Sequence, residues 1–204
     1  MPIRPLFRVA ATLLLLTALA VPTSARSPRL EQSVQPLQFE GDTFCTAFSI
    51  NEAEGLWASA KHCAVFVLEK KLPVTIGGVW AMPVYLAPMD DISVWQSAKH
   101  APALRLADKA PKVGDLVRIE GYPMGLFRLI ESRGFVAARQ EPTDNGVSDV
   151  LDIAVYGGSS GSPVLNSQDE VVGLLWGGWP GTGFALSVPW ETVLKLIGTR
   201  FQQQ

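Results

Sequence analysis

The 204-residue chain is poor in several things at once: it has two cysteines, two histidines and three tyrosines, and only 18% of its residues are charged. With so few histidines and no C-x-x-C pair, no structural zinc site is expected and no cofactor is implied. Basic residues nowhere cluster, which argues against nucleic acid or an anionic membrane surface as partners. No repeat, low-complexity tract or heptad occurs. Long apolar runs are missing too, with one exception. "VAATLLLLTALAV", residues 9–21, is short of the roughly 20 residues a membrane span needs. It follows Arg4 and Arg8 and precedes "PTSARS", whose small residues suit cleavage. That order reads as a secretory signal peptide over residues 1–25, with Ala25 the last residue removed. The competing reading is an uncleaved anchor. Without Arg4 and Arg8 the mature chain, from Arg26, carries 15 basic against 19 acidic residues, a net charge of −4. It is long enough for one domain, or for two small subdomains sharing a core. It is expected to be secreted or periplasmic, with no stable membrane span once the signal is cleaved.

Export places Cys45 and Cys63 in an oxidising compartment, where an even pair is usually bonded. A bridge between them closes a loop of 18 residues, worth about 3 kcal/mol in the chain-entropy model. Two free buried thiols are the alternative.

Short β-type runs recur between Gly, Pro, Asn and Asp: "FCTAFSI", "GLWASA", "AVFVLE", "LPVTIG", "MPVYLA", "ISVWQ", "LVRIEGY", "FRLIESRGFVAA", "DVLDIAV", "SPVLN", "VVGLLWG" and "GFALSV". Roughly a dozen short strands argue for all-β barrels or a sandwich. "SARSPRLEQSVQPLQFEGD" reads as an irregular lead-in. A polar seam over 104–115 divides the strands into two groups. "VPWETVLKLIGTRF" reads as one closing helix, with Pro189 at its start and Val193, Leu194 and Ile197 at helical spacing.

Dense glycine and serine in "YGGSSGSPVLN" look like a linker, yet they sit between two strand-like segments. A serine hydroxyl attacks only with a base beside it, and the base must itself be oriented. Of the two histidines, His100 lies in a polar loop and reads as solvated. His62 precedes Cys63, whose bridge would fix the backbone that aims the imidazole. Gly157 to Gly161 formally fit G-x-S-x-G with Ser159 as nucleophile. That elbow needs a histidine later in the chain and a helix after the turn, and neither is present. An S-x-x-K arrangement is absent.

In the other frame, "GSSGSP" resembles the G-[ND]-S-G-[GS]-P signature of chymotrypsin-fold (trypsin-like) serine proteases, and "SAKHC" resembles their [ST]-A-x-H-C. Between them "MDDISVWQ" is similar to the strand that carries the family's aspartate, which places Asp91 third. Asp90 would face the other side of that strand. "FCTAFSI" is similar to the strand supplying the histidine loop's partner cysteine. "KVGDLVRIEGYPMGL", "SRGFVAA" and the segment from Leu151 through Gly177, with Asp152 eight residues before the serine, look like the bacterial HtrA-type branch. "GFALSVPWETVLKLI" resembles its last strand and helix. The likeness covers roughly residues 40–198.

It implies two six-stranded antiparallel β-barrels with a C-terminal helix over residues 26–204. Barrel 1 is expected at about 38–106, barrel 2 at about 112–188 and the helix at about 189–199. It also implies a serine endopeptidase with His62, Asp91 and Ser160 as triad. The N–H groups of Gly158 and Ser160 form its oxyanion hole, and a polypeptide is its substrate. Ala154, Trp176, Gly177, Gly178 and Gly183 would bound the specificity pocket. With no acid at Ala154, an apolar P1 residue is expected rather than Lys or Arg. Two positions depart from the pattern. Ser159 stands where zymogens of this fold place an aspartate, so no activation through an ion pair there is expected, and Ser162 replaces the commoner glycine. The PDZ domain usual in HtrA proteins is not expected. A catalytically silent peptide-binding protein, or an esterase on the same triad, remains the alternative.

Overall fold

Residues 27–143 and 146–202 are described by the structure, a computed structural model; the signal peptide read over 1–25 lies outside them. Twelve strands among these residues close into two antiparallel barrels. The first runs β1 (Val34–Phe39), β2 (Asp42–Asn51), β3 (Leu56–Ser59), β6 (Ser93–Ser97), β5 (Val79–Leu86) and β4 (Val74–Ile76). It closes where Leu37 of β1 stands opposite Ile76 of β4. The second runs β10 (Pro163–Leu165), β11 (Val171–Gly178), β12 (Ala185–Pro189), β9 (Gly146–Asp152), β8 (Ile130–Thr143) and β7 (Leu116–Gly121). It closes at Val164 opposite Ile119. Closure leaves neither sheet with a free edge.

Barrel 1 is filled by large residues. Trp57 and Trp95 stand opposite each other on β3 and β6, both fully buried. A buried indole N–H needs an acceptor. Trp57 finds the Lys99 carbonyl at 3.1 Å and Trp95 the Ser93 hydroxyl at 2.9 Å. Barrel 2 packs smaller side chains, among them Val117, Ile119, Val136, Leu151, Val164 and Leu175. One of its buried charges, Asp149, is tied off by Arg139 on β8. Arg139 reaches both oxygens of Asp149 at 3.2 Å, Glu191 at 2.6 Å and the Pro111 carbonyl at 2.8 Å. Burial pushes the Asp149 carboxyl above the usual carboxylate range, while the Gln140 amide and the Arg139 guanidinium oppose that rise.

Two expectations fail here. "AVFVLE" is not a strand: it lies in a helix, α2 (Lys61–Lys70), that buries Cys63, Ala64 and Val67 on one face and ends at Lys71 in a left-handed conformation. Its β-branched composition yields to that one-sided burial. The lead-in is not irregular either. It forms α1 (Pro28–Ser33), capped by the Ser27 hydroxyl, and then β1, which starts ahead of the expected barrel edge. The closing helical stretch is α3 (Trp190–Val193), a π-helical run over Leu194–Gly198, and α4 (Thr199–Phe201). It buries Val193 and Ile197 and reaches back to barrel 1, where Asn51 donates to the Phe201 carbonyl at 3.0 Å.

β2 decides where a site can lie. From Cys45 to Asn51 every one of its residues is buried. One face belongs to the barrel 1 core, and Thr46 bonds the 158–160 segment of the second barrel.

Candidate active site

The first turn of a helix leaves backbone N–H groups without partners inside it. Ala60, ahead of α2, offers no side-chain cap. Asp91 does so from outside: its Oδ1 accepts the His62 amide at 2.8 Å, where the helix dipole favours a negative charge. Its Oδ2 lies 2.8 Å from Nδ1 of the same residue. An ionised carboxylate only accepts, so in this bond Nδ1 is the donor and Nε2 is the ring nitrogen left for another partner. Asp91 is 6% exposed, while the His62 side chain is 47% exposed. The acid is therefore shielded and the base open to the cleft. Asp91 does not lie on the strand, as the family resemblance implied it would. It sits in a bend two residues ahead of β6.

Cys45 on β2 and Cys63 on α2 form a disulfide. Both sulfurs lie within 4.8 Å of a His62 ring nitrogen, so the bridge buttresses the imidazole as well as its backbone. Being bonded to each other, they offer no thiolate to a metal.

The 156–162 segment is held peptide by peptide. The Gly157 carbonyl accepts from the Met124 amide at 2.6 Å, and the Gly158 carbonyl from the Thr46 hydroxyl at 2.8 Å. The Ser159 carbonyl accepts from the Ser162 amide at 3.0 Å, and the Ser160 carbonyl from the Thr46 amide at 2.8 Å. The Ser159 amide donates to Tyr156 and the Gly161 amide to Leu175. Among the described residues, the N–H groups of Gly158 and Ser160 have no acceptor. In a trans peptide N–H and C=O point opposite ways. Tying down the Gly157 and Ser159 carbonyls therefore turns those two N–H groups the other way, as free donors.

Two glycines are required. Gly158 has φ +93°, and a Cβ there would stand 2.5 Å from the Tyr122 carbonyl. A Cβ on Gly161 would meet the Ser59 hydroxyl and the Thr46 carbonyl at 2.2 Å, and the Ala60 amide at 2.9 Å. That approach presses the serine loop against the residues leading into His62.

Ser159 is buried, whereas Ser160 is only partly so. The Ser160 hydroxyl donates to the Trp176 carbonyl at 3.3 Å. His62 makes its bonds to Asp91, and none to Ser160 is present in this conformation. The Trp176 carbonyl is available because β11 bulges there, between Leu175 and Gly177. Its indole is anchored by the Ser148 hydroxyl at 3.0 Å. Ala154 and Gly183 are exposed, Gly177 is half-buried, and Gly178 lies against Val155. His100 stays outside, exposed, with Nδ1 2.6 Å from the Glu52 carbonyl.

Sequence reasoning missed Thr46, Ser59 and Met124. A lone threonine in the apolar run after Cys45 was the available signal for the first. Met124 acts through its backbone amide, at a residue with φ +57°, and leaves no side-chain signature.

Residues 7–174 match the model of the trypsin-like peptidase domain. Among solved structures the chain is similar to Rv3671c of M. tuberculosis H37Rv, in the inactive form of a serine-to-alanine mutant. The TM-score is 0.69 and the identity 18%, over 90% of this chain and 96% of that one. It is also similar to a structure of the Rv3671c protease in an inactive form, with TM-score 0.65 and identity 19%, over 82% and 90%. At such identities the structural likeness speaks to the fold of two closed barrels. The family match spans well over half of the chain, and the chain belongs to the trypsin-like serine peptidase family.

Proposed function

We propose that this protein is an exported serine endopeptidase that cleaves peptide bonds through His62, Asp91 and Ser160. The observation that carries the reading is the pair of free N–H groups, Gly158 and Ser160, on a loop packed against the strand end that leads to an Asp91-oriented His62. Rotation about χ1 takes the Ser160 hydroxyl from the Trp176 carbonyl to Nε2 of His62. Ser160 Oγ then bonds to the scissile carbonyl carbon as its proton passes to Nε2. The carbonyl oxygen takes up the electron pair and meets the two free amides, an arrangement whose single donors are worth about 3–4 kcal/mol of transition-state stabilisation. Asp91 stabilises the imidazolium. The proton goes on to the leaving amine, and water, deprotonated by His62 in turn, hydrolyses the acyl-enzyme.

An apolar P1 residue suits the position of Ala154, which brings no negative charge to the pocket. Comparable rates on Arg-P1 and apolar-P1 peptides would refute that preference. The Cys45–Cys63 bridge supports a secreted or periplasmic location. The resting bond from Ser160 to Trp176 also suits a silent peptide-binding protein on the same fold. A fluorophosphonate separates the two readings. The peptidase reading expects added mass on Ser160 in wild type, and none in Ser160→Ala or His62→Ala. Folded wild-type protein that stays unlabelled favours the silent binder.

A further inference from the structure

Thr46 lies on barrel 1, touches neither His62 nor Asp91 in any bond described above, and has no place in the triad. Yet it is fully buried and makes four hydrogen bonds at the junction of the barrels. Its hydroxyl donates to the Gly158 carbonyl at 2.8 Å and accepts from the Tyr122 amide at 3.0 Å. Its amide donates to the Ser160 carbonyl, and its carbonyl accepts from the Ser59 hydroxyl at 2.7 Å. Its register partner on β1 is Pro36, which has no N–H to offer. Both backbone groups of Thr46 are thus used outside the β1 ladder.

The hydroxyl sits at the weakest point of the serine loop. Gly157 and Gly158 are adjacent glycines, and glycine offers little steric resistance to rotation of a neighbouring peptide. The amide that must face the cleft belongs to Gly158 and shares its peptide with the Gly157 carbonyl, which the Met124 amide holds. The Thr46 hydroxyl acts one step away, holding the next peptide at the Gly158 carbonyl and the segment of Met124 at the Tyr122 amide. Tyr122 and Met124 are two residues apart on the segment after β7. The hydroxyl therefore ties that segment and the serine loop to β2 at one atom.

We propose that Thr46 is a positioning residue whose hydroxyl, by tying the Gly158 carbonyl to the segment of Tyr122 and Met124, steadies the peptide that carries the Gly158 oxyanion donor. The proposal rests on the peptidase reading. Backbone contacts alone could hold the Ser160 carbonyl, because they need no particular side chain. The Gly158 carbonyl and the Tyr122 amide are joined only through a group that both donates and accepts. Valine has the shape of threonine and neither capacity; serine keeps both.

The test compares Thr46→Val and Thr46→Ser with wild type on an apolar-P1 peptide amide. Misdirecting one oxyanion donor is expected to lower kcat by roughly 10- to 100-fold in Thr46→Val, with KM within about two-fold. Thr46→Ser should restore most of the loss. Binding of a peptide aldehyde, whose adduct places an oxyanion on the two amides, should weaken in parallel with kcat in Thr46→Val. Binding of a non-covalent product peptide should not change. A merely structural residue would move both ligands together, or neither, and either result overturns the proposal. So does a folded Thr46→Val with wild-type kcat. If Thr46→Val does not fold, Thr46→Ala, which leaves room for a water at the hydroxyl's place, takes the same test. Failure of both to fold also overturns a role confined to positioning. Wild-type protein that neither hydrolyses peptides nor labels at Ser160 sinks the peptidase reading itself, an outcome distinct from active wild type with an unaffected Thr46→Val.

Discussion

Replacing Cys45 and Cys63 together by alanine removes the single covalent tie between β2 and the helix that carries His62. The sequence separation is 18. For a loop of that length the chain-entropy model gives about 11 cal/mol/K, or about 3 kcal/mol at 25 °C, through a more compact unfolded state. The native state adds to the loss: both cysteines are almost fully buried, at 3% and 1% exposure, so the missing sulfurs leave a void. For a domain of this size each kcal/mol moves the melting temperature by roughly 2–4 °C. The double variant should therefore melt at least about 6 °C below wild type by circular dichroism. Urea titration should show a lower midpoint and a somewhat steeper slope, because the uncrosslinked chain exposes more surface on unfolding. Wild type treated with a dithiol reductant should approach the same melting temperature. A drop of less than about 2 °C in both samples would refute the reasoning. It would mean that the unfolded chain already holds Cys45 and Cys63 close together, so that the bridge constrains nothing further.

Two other substitutions test the loop and the buried charge. Gly158→Ala puts a Cβ against the Tyr122 carbonyl at a φ that side chains rarely adopt, so the loop must shift. Its kcat on an apolar-P1 peptide should fall by about 100-fold or more, and activity within three-fold of wild type would contradict the assigned donor. Asp149→Asn tests linkage. A carboxyl whose folded pKa is raised contributes stability that is present below its unfolded value, about 3.9, and is lost as pH rises through the folded one. Wild-type stability relative to Asp149→Asn should therefore decline with rising pH across that window and level off above it. Urea denaturation at a series of pH values reads this directly, and a rise across the same window would show that Arg139 outweighs burial.

The barrels were legible because their strands are short, apolar and separated by turn residues, a pattern that survives without tertiary information. The errors come in a matched pair. "AVFVLE" has β-type composition, but burial of Cys63, Ala64 and Val67 on one side makes it helix, a fact available only once β2 and the disulfide are in place. "VQPLQF", with its internal proline and glutamines, looks unlike a strand, yet it pairs on both sides, to β2 and β4. Pro36 is tolerated because Thr46, opposite it, turns its backbone groups elsewhere. In the candidate site, His62, Asp91 and the Gly/Ser loop carry side-chain signatures that can be read in order. Asp91's second bond, to the His62 amide, could not be read, because it depends on a helix that was expected to be a strand. The bonds from the Met124 and Thr46 amides, like the choice of Trp176 over His62 by the Ser160 hydroxyl, involve backbone groups that every residue possesses.

The return of the chain's last turns to barrel 1 bears on the order in which the molecule can be completed. Asn51 bonds the Phe201 carbonyl, Tyr85 packs its ring 5.6 Å from that of Phe201, and the Leu104 carbonyl accepts from Gln202. Each of these barrel 1 partners is synthesised, and crosses any membrane, long before the helix that meets it. Barrel 1 thus waits with one end uncovered until residue 202 has arrived, by which time β7 to β12 and the serine loop have arrived as well. These three contacts of barrel 1 are therefore made only once the residues of both halves of the candidate site have been synthesised.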